Sequence, residues 1–192
     1  MLNLLSLRLF LFAVSMLCIT PQGIAGELSE LMSQGNTVLL MRHAYAPGIG
    51  DPPNFNVNDC STQRNLNQDG INQARRTGNW FRSEGLAQAK VYSSPWCRCI
   101  DTAKLFNYGS PEIIDALAST FNEQDYSAPA RKNLIEWLQI HMKKSDRKPL
   151  IMVTHQVNIL AYTGINTSSG EMVLVQVNQD GTAKVLKVFM PQ

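Results

Sequence analysis

The chain predicts a three-layer α/β/α fold with a mainly parallel central sheet. Three observations carry that expectation. Strand-like and helix-like segments alternate along the chain. The strand-like runs Val38-Leu39-Leu40-Met41 and Leu150-Ile151-Met152-Val153 are apolar throughout, without the in/out alternation of a half-exposed sheet. Both end in a basic residue pattern, Arg42-His43 and Thr154-His155, which places two of the three histidines at strand ends. In open α/β sheets the carboxyl ends of the strands form the ligand-binding edge.

The first 25 residues read as a secretory signal. Arg8 provides a positive n-region. Leu9 to Ile19 form an apolar stretch, shorter than the ~20 residues a bilayer span needs. Gly23-Ile24-Ala25 is a small-x-small site, so cleavage is expected after Ala25, leaving residues 26–192 as one domain. The expected location is therefore periplasmic or extracellular, with no transmembrane segment in the mature chain. The formal charge of +2 gives no reason to expect a nucleic-acid partner. Nothing in the sequence speaks to oligomeric state.

After the first strand, residues 44–67 carry Pro47, Gly48, Gly50, Pro52 and Pro53 and read as a long loop. Asp51 and Asp59 read as solubilising residues of that loop, and Gly48 and Gly50 as points of flexibility. Asn67 is placed to cap a helix to about Glu84, with Ile71, Ala74, Gly78 and Phe81 as its buried stripe and Gly85 as its stop. Val91-Tyr92-Ser93 is a short strand, and Ser94-Pro95 is expected to open a helix through Phe106. Ile113-Ile114 suggests a third strand. Residues 129–144 form an amphipathic helix with Leu134, Leu138 and Met142 on one face. His141 lies on this helix beside two lysines and reads as a surface residue. The 150–153 strand and a helix from Gln156 to about Tyr162 follow. Residues 173–177 and 183–189 pair as a closing hairpin around Asn178-Gln179-Asp180-Gly181. Trp80, Trp96 and Trp137 are assigned to packing.

Cys60, Cys97 and Cys99 remain after the signal. An oxidising compartment allows one disulfide, either Cys60–Cys97 or Cys60–Cys99, because side chains at i and i+2 on a helix diverge. The Cys97-x-Cys99 spacing is not that of a zinc site, and no metal or other cofactor is expected.

Arg42, His43, Arg98 and His155 form the candidate site. Guanidinium groups bind phosphoryl oxygens in a bidentate way, a helix N-terminus adds oriented N–H donors, and neutral imidazole is a competent nucleophile. Four segments in order carry a family resemblance: Leu40-Met41-Arg42-His43, the helix start from Asn65 to Ala74, Ser93-Ser94-Pro95-Trp96-Cys97-Arg98-Cys99-Ile100-Asp101-Thr102-Ala103, and Val153-Thr154-His155. Together they resemble the histidine phosphatase superfamily, in the branch that contains cofactor-dependent phosphoglycerate mutase.

The resemblance implies a phosphatase working through a phosphohistidine on His43. Arg42, Arg98, His155 and the backbone N–H of Gln156 would hold the phosphoryl oxygens. The segment Phe121–Tyr126 resembles the stretch that carries the family's proton donor, which implies Glu123 in that role with Asp125 as the alternative. Ala44 stands where the family has Gly and is expected to narrow the pocket. The substrate class implied is a small-molecule or lipid-linked phosphomonoester, and export makes a cell-envelope sugar phosphate the natural choice. A phosphomutase and a non-catalytic phosphate-ligand binder or scaffold are the competing readings.

Overall fold

The computed structural model of the chain describes residues 26–121, 127–142 and 148–191. Its centre is a six-stranded sheet in the order β3-β2-β4-β1-β5-β6. The strands are β1 (Thr37–Arg42), β2 (Lys90–Ser93), β3 (Glu112–Ile113), β4 (Leu150–Thr154), β5 (Met172–Val177) and β6 (Ala183–Phe189). β3, β2, β4 and β1 run parallel, while β5 pairs antiparallel with β1 and with β6. The expected three-layer architecture is therefore present, with the closing hairpin supplying the antiparallel edge.

The helices are α1 (Glu27–Ser33), α2 (Gln68–Ser83), α3 (Cys97–Leu105), α4 (Ser127–His141) and α5 (Gln156–Thr163). Along β1 the side chains still alternate between faces, and both faces are covered. Leu39 and Met41 pack with Leu28, Phe81 and Phe106, from α1, α2 and the end of α3. Val38 and Leu40 pack with Leu134, Leu138 and Ile159, from α4 and α5. Two-sided burial is why the strand sequence shows no polar alternation.

Local signals explain most boundaries. Asn67 caps α2 by accepting from the Gly70 N–H at 3.0 Å. Gly164 ends α5 in the left-handed region at φ 76°. α3 opens at Cys97 rather than at Ser94, because the Ser94 N–H is still donated to Val153 O at 2.9 Å as a continuation of the sheet. α1 has no counterpart in the sequence reading. It is a single short helix, held to α2 by the Glu84 carboxylate, which accepts from the Leu28 N–H at 3.1 Å. α4 covers Ser127–His141, and the exposed His141 ring stacks on Trp137 at 3.9 Å, in keeping with a surface role.

Gly70 has a specific task. A Cβ on Gly70 would lie 1.9 Å from the Tyr45 carbonyl oxygen, so only glycine lets α2 approach the chain just past His43. Among the described residues no helix is long and apolar enough to cross a membrane.

Candidate active site

β2, β4 and β1 are neighbours in the sheet, so their carboxyl ends bring Ser93-Ser94, Thr154-His155 and Arg42-His43 to one edge. α3 and α5 begin directly behind that edge and add Arg98 and Gln156. A cavity of about 350 Å³ opens there. Arg42, His43, Arg98, His155 and Gln156 all line it, together with Asp51, Arg64, Trp96 and an apolar rim that includes Ile49, Phe55 and Phe121. The five residues expected on the described part of the chain thus converge on one space. Glu123 and Asp125 lie outside the described residues.

His43 is 3 % exposed, and its Nδ1 lies 2.7 Å from the carbonyl oxygen of Ala44. A carbonyl only accepts, so Nδ1 carries the proton and Nε2 keeps its lone pair. Burial, followed by the positive charge of Arg98, pushes the imidazole pKa down to about 3, so the ring is neutral at physiological pH.

His155 faces it with ring centroids 5.5 Å apart. Its Nε2 is 2.8 Å from Ser94 Oγ, which itself accepts the Trp96 N–H at 3.4 Å. Nε2 also lies 3.5 Å from the Cys99 thiol; with hydroxyl and thiol as donors to Nε2, the proton of His155 sits on Nδ1. Burial and the Arg98 charge hold this ring well below the ordinary histidine range.

Other contacts tie the motif segments together. The Ala44 N–H donates to Thr102 Oγ1 at 3.0 Å, and the Thr102 hydroxyl donates to Arg98 O at 2.6 Å. Gln73 accepts the Tyr45 N–H at 2.8 Å and donates to Ser169 O at 2.8 Å. Arg42 Nη1 donates to Thr167 O at 2.6 Å, while the Nε atoms of Arg42 and Arg98 are buried without a protein partner. Two orphaned guanidinium N–H groups beside one cavity are suited to oxygens of a bound anion. The Gln156 side chain turns instead to Asn166 Oδ1 at 2.6 Å.

Three expectations are corrected. Asp51 is not a solubilising loop residue. Its side chain is 5 % exposed and accepts from Arg98 Nη1 at 2.7 Å and Nη2 at 3.1 Å, from Trp96 Nε1 at 3.0 Å and from the Arg64 N–H at 3.0 Å. Burial would raise this carboxyl, but the hydrogen bonds from Arg98 and Arg64 outweigh it and hold the pKa below the usual value. Trp96 is accordingly a site residue as well as a packing one. Ala44 is fully buried but is not among the residues lining the cavity, so its methyl group does not narrow the pocket. Its φ is not positive, so the backbone tolerates alanine.

Cys60 and Cys97 form the disulfide, with Cα atoms 5.7 Å apart, and Cys99 is a buried free thiol. Burial pushes the Cys99 pKa up to about 12, so it stays protonated beside His155. The disulfide straps the long loop onto the start of α3. Arg64 was not singled out from the sequence. The available signal was its position between Cys60 and the helix-start motif: pairing Cys60 with Cys97 necessarily brings residues 60–64 close to Arg98.

Residues 38–147 match the sequence profile of the histidine phosphatase superfamily, branch 1. Among solved structures, the chain is similar to the protein histidine phosphatase SixA complexed with tungstate, with 15 % identity, a TM-score of 0.60, and 81 % of this chain and 97 % of that one covered. It is likewise similar to the phosphoserine phosphatase of Entamoeba histolytica in complex with 3-phosphoglyceric acid (15 % identity, TM-score 0.60, 81 % and 98 % covered). YhfR of Bacillus stearothermophilus aligns at 15 % identity and a TM-score of 0.59, covering 78 % and 94 %. A search of curated proteins returned no match.

Proposed function

The chain belongs to branch 1 of the histidine phosphatase superfamily, and we propose that it is an exported phosphatase that hydrolyses phosphomonoesters through a phosphohistidine intermediate. The observation that carries this reading is the state of His43. Its ring is neutral, its Nδ1 proton is committed to Ala44 O, and its Nε2 lone pair is free beside a cavity lined by guanidinium groups and His155.

In the proposed reaction Nε2 of His43 attacks phosphorus in line, the P–N bond forms, and the P–O ester bond breaks. The leaving oxygen takes a proton from a carboxylic acid, for which Glu123 is the candidate and Asp125 the alternative. Arg42, Arg98, His155 Nδ1–H and the Gln156 backbone N–H hold the phosphoryl oxygens. The carboxylate then takes a proton from water, whose oxygen attacks phosphorus and releases phosphate and neutral His43.

The 1–25 signal pattern and the Cys60–Cys97 pairing support export, since disulfides persist outside the cytoplasm. The apolar rim of Ile49, Phe55 and Phe121 suits the carbon skeleton of a sugar or lipid-linked phosphate, which supports a cell-envelope substrate.

The test is to incubate the mature protein with an aryl phosphate in the presence of chelator, quench, and look for acid-labile phosphate on His43. Turnover and labelling that both vanish in His43→Ala support the reading. Phosphate binding without turnover or labelling replaces it with a binding protein, and turnover that needs a divalent metal overturns the histidine mechanism. Cell fractionation and N-terminal sequencing test export, with Gly26 expected as the first residue.

A further inference from the structure

Three guanidinium groups line the cavity, those of Arg42, Arg64 and Arg98. Among the described residues only Arg98 of the three is in an ion pair, and its partner Asp51 engages it end-on through both Nη atoms. The pair is internally neutralised. His43 and His155 are uncharged. Among the described residues the cavity's remaining positive charge is on Arg42 and Arg64, which Glu171 and Asp51 influence without forming an ion pair with them, and two such charges match a phosphoryl dianion.

Arg64 is held in a way that leaves its charge available. Its Nε donates to Gly50 O at 2.7 Å and its Nη1 to Ala46 O at 2.5 Å. Carbonyl dipoles orient a guanidinium without cancelling it. The backbone of the same residue clasps the ion pair from behind, donating N–H to Asp51 at 3.0 Å and accepting from Arg98 Nη1 at 3.4 Å. Its Nη2 makes no protein hydrogen bond among the described residues. Its side chain lines the same cavity as both imidazoles.

We infer that Arg64 is a further substrate-binding residue, a direct ligand of the phosphoryl oxygens that supplies the positive charge Asp51 withdraws from Arg98. This rests on the phosphatase reading above. It makes the enzyme selective for the dianionic form of its substrate. Loop 44–67 then contributes chemistry as well as a wall, and the Cys60–Cys97 strap is what keeps Arg64 in reach.

The experiment is inhibition by phenylphosphonate, which cannot be hydrolysed, measured between about pH 5 and 8 across its second ionisation, with aryl phosphate turnover measured alongside. His43 stays neutral across that window, and the difference between the wild-type and Arg64→Gln profiles isolates the ionisation that Arg64 senses. The wild type is expected to bind more tightly as the dianion forms. Arg64→Gln is expected to weaken binding by about 10- to 100-fold and to flatten that pH dependence, because a charge-assisted contact is lost. A loss of affinity with the pH dependence intact would show a purely structural role and overturn the inference, as would wild-type affinity. If Arg64→Gln does not fold, the wild type decides: phenylphosphonate should protect Arg64 from phenylglyoxal, and modification at an unchanged rate overturns the inference. A wild type that binds phenylphosphonate but has neither turnover nor His43 labelling refutes the phosphatase reading instead, whatever Arg64 does.

Discussion

The Asp51 carboxylate takes the Arg98 guanidinium end-on, with Oδ1 at 2.7 Å from Nη1 and Oδ2 at 3.1 Å from Nη2. Nε of Arg98 stays buried and unpaired. The tip of the guanidinium is committed to Asp51, which fixes the orientation of the whole Arg98 head at the cavity.

Asp51→Asn should consequently separate orientation from charge. It frees one positive charge in the cavity while loosening the Arg98 head. We expect kcat to fall about tenfold as positioning is lost, while inhibition by inorganic phosphate becomes stronger. Stability should fall by about 2 kcal/mol, less than the ~3–5 of an enclosed pair because this one borders an open cavity. Steady-state kinetics and denaturant melts check all three, and unchanged kcat would deny Asp51 its positioning role.

Ser94→Ala removes the hydroxyl 2.8 Å from His155 Nε2 and leaves only the weaker Cys99 thiol contact at 3.5 Å. The imidazole can then place its proton on either nitrogen, and the form that presents Nδ1–H to the phosphoryl group is no longer enforced. The expected result is a fall in kcat of about tenfold, with KM changed little and the melting temperature nearly preserved. A variant as active as the wild type would show that the tautomer is fixed by something else.

Stability should fall with acid before the carboxylates titrate. The folded pKa of His43 is depressed to about 3, against about 6.5 in the unfolded chain. Between those values the unfolded state binds a proton that the native state does not, so stability rises with pH and is lost as pH falls. His43 contributes a slope of up to about 1.4 kcal/mol per pH unit between those values, and His155, also held low by burial, acts in the same direction. Urea melts from pH 7 to about 4 should show a shallower slope in His43→Gln, and identical slopes would place the proton uptake elsewhere.

Reducing Cys60–Cys97 releases a loop closed over a sequence separation of 37 residues. The chain-entropy relation puts the loss near 3–4 kcal/mol. The double variant Cys60→Ser/Cys97→Ser should be less stable by that amount and bind phenylphosphonate more weakly, since Asp51 and Arg64 lie on the 44–67 segment that Cys60 straps to α3. An unaltered affinity after full reduction, confirmed by thiol titration, would mean that the loop docks without its strap.

Gly70→Ala forces a methyl group into the Tyr45 carbonyl, 1.9 Å from the ideal Cβ position. Backbone on both sides has to shift, at about 1–3 kcal/mol. Because Tyr45 lies two residues beyond His43, activity should drop with stability, whereas Gly35→Ala, strained at φ 78° but with nothing within 4 Å of its Cβ and placed before β1, should lower stability and leave activity intact.

Much of this was readable in the chain. The unbroken apolar runs 38–41 and 150–153 implied two-sided burial, and two-sided burial in a βα alternation implied the parallel sheet that forms. Arg42-His43 and Thr154-His155 sit at strand ends because periodicity stops there, and parallel strands bring such ends together. α1 escaped notice because a seven-residue helix offers too little periodicity to stand out.

What the sequence by itself determined is the fold class, the family, and the convergence of Arg42, His43, Arg98 and His155, since these follow from local patterns whose period and order survive folding. Only the tertiary structure decided the standing of the long loop. A loop has no period, so nothing local distinguishes Asp51 and Arg64 from solvated charges. Their electrostatic meaning appears once Cys60 meets Cys97 and the loop closes over Arg98. There a buried carboxylate takes one guanidinium out of the charge balance and a second guanidinium takes its place.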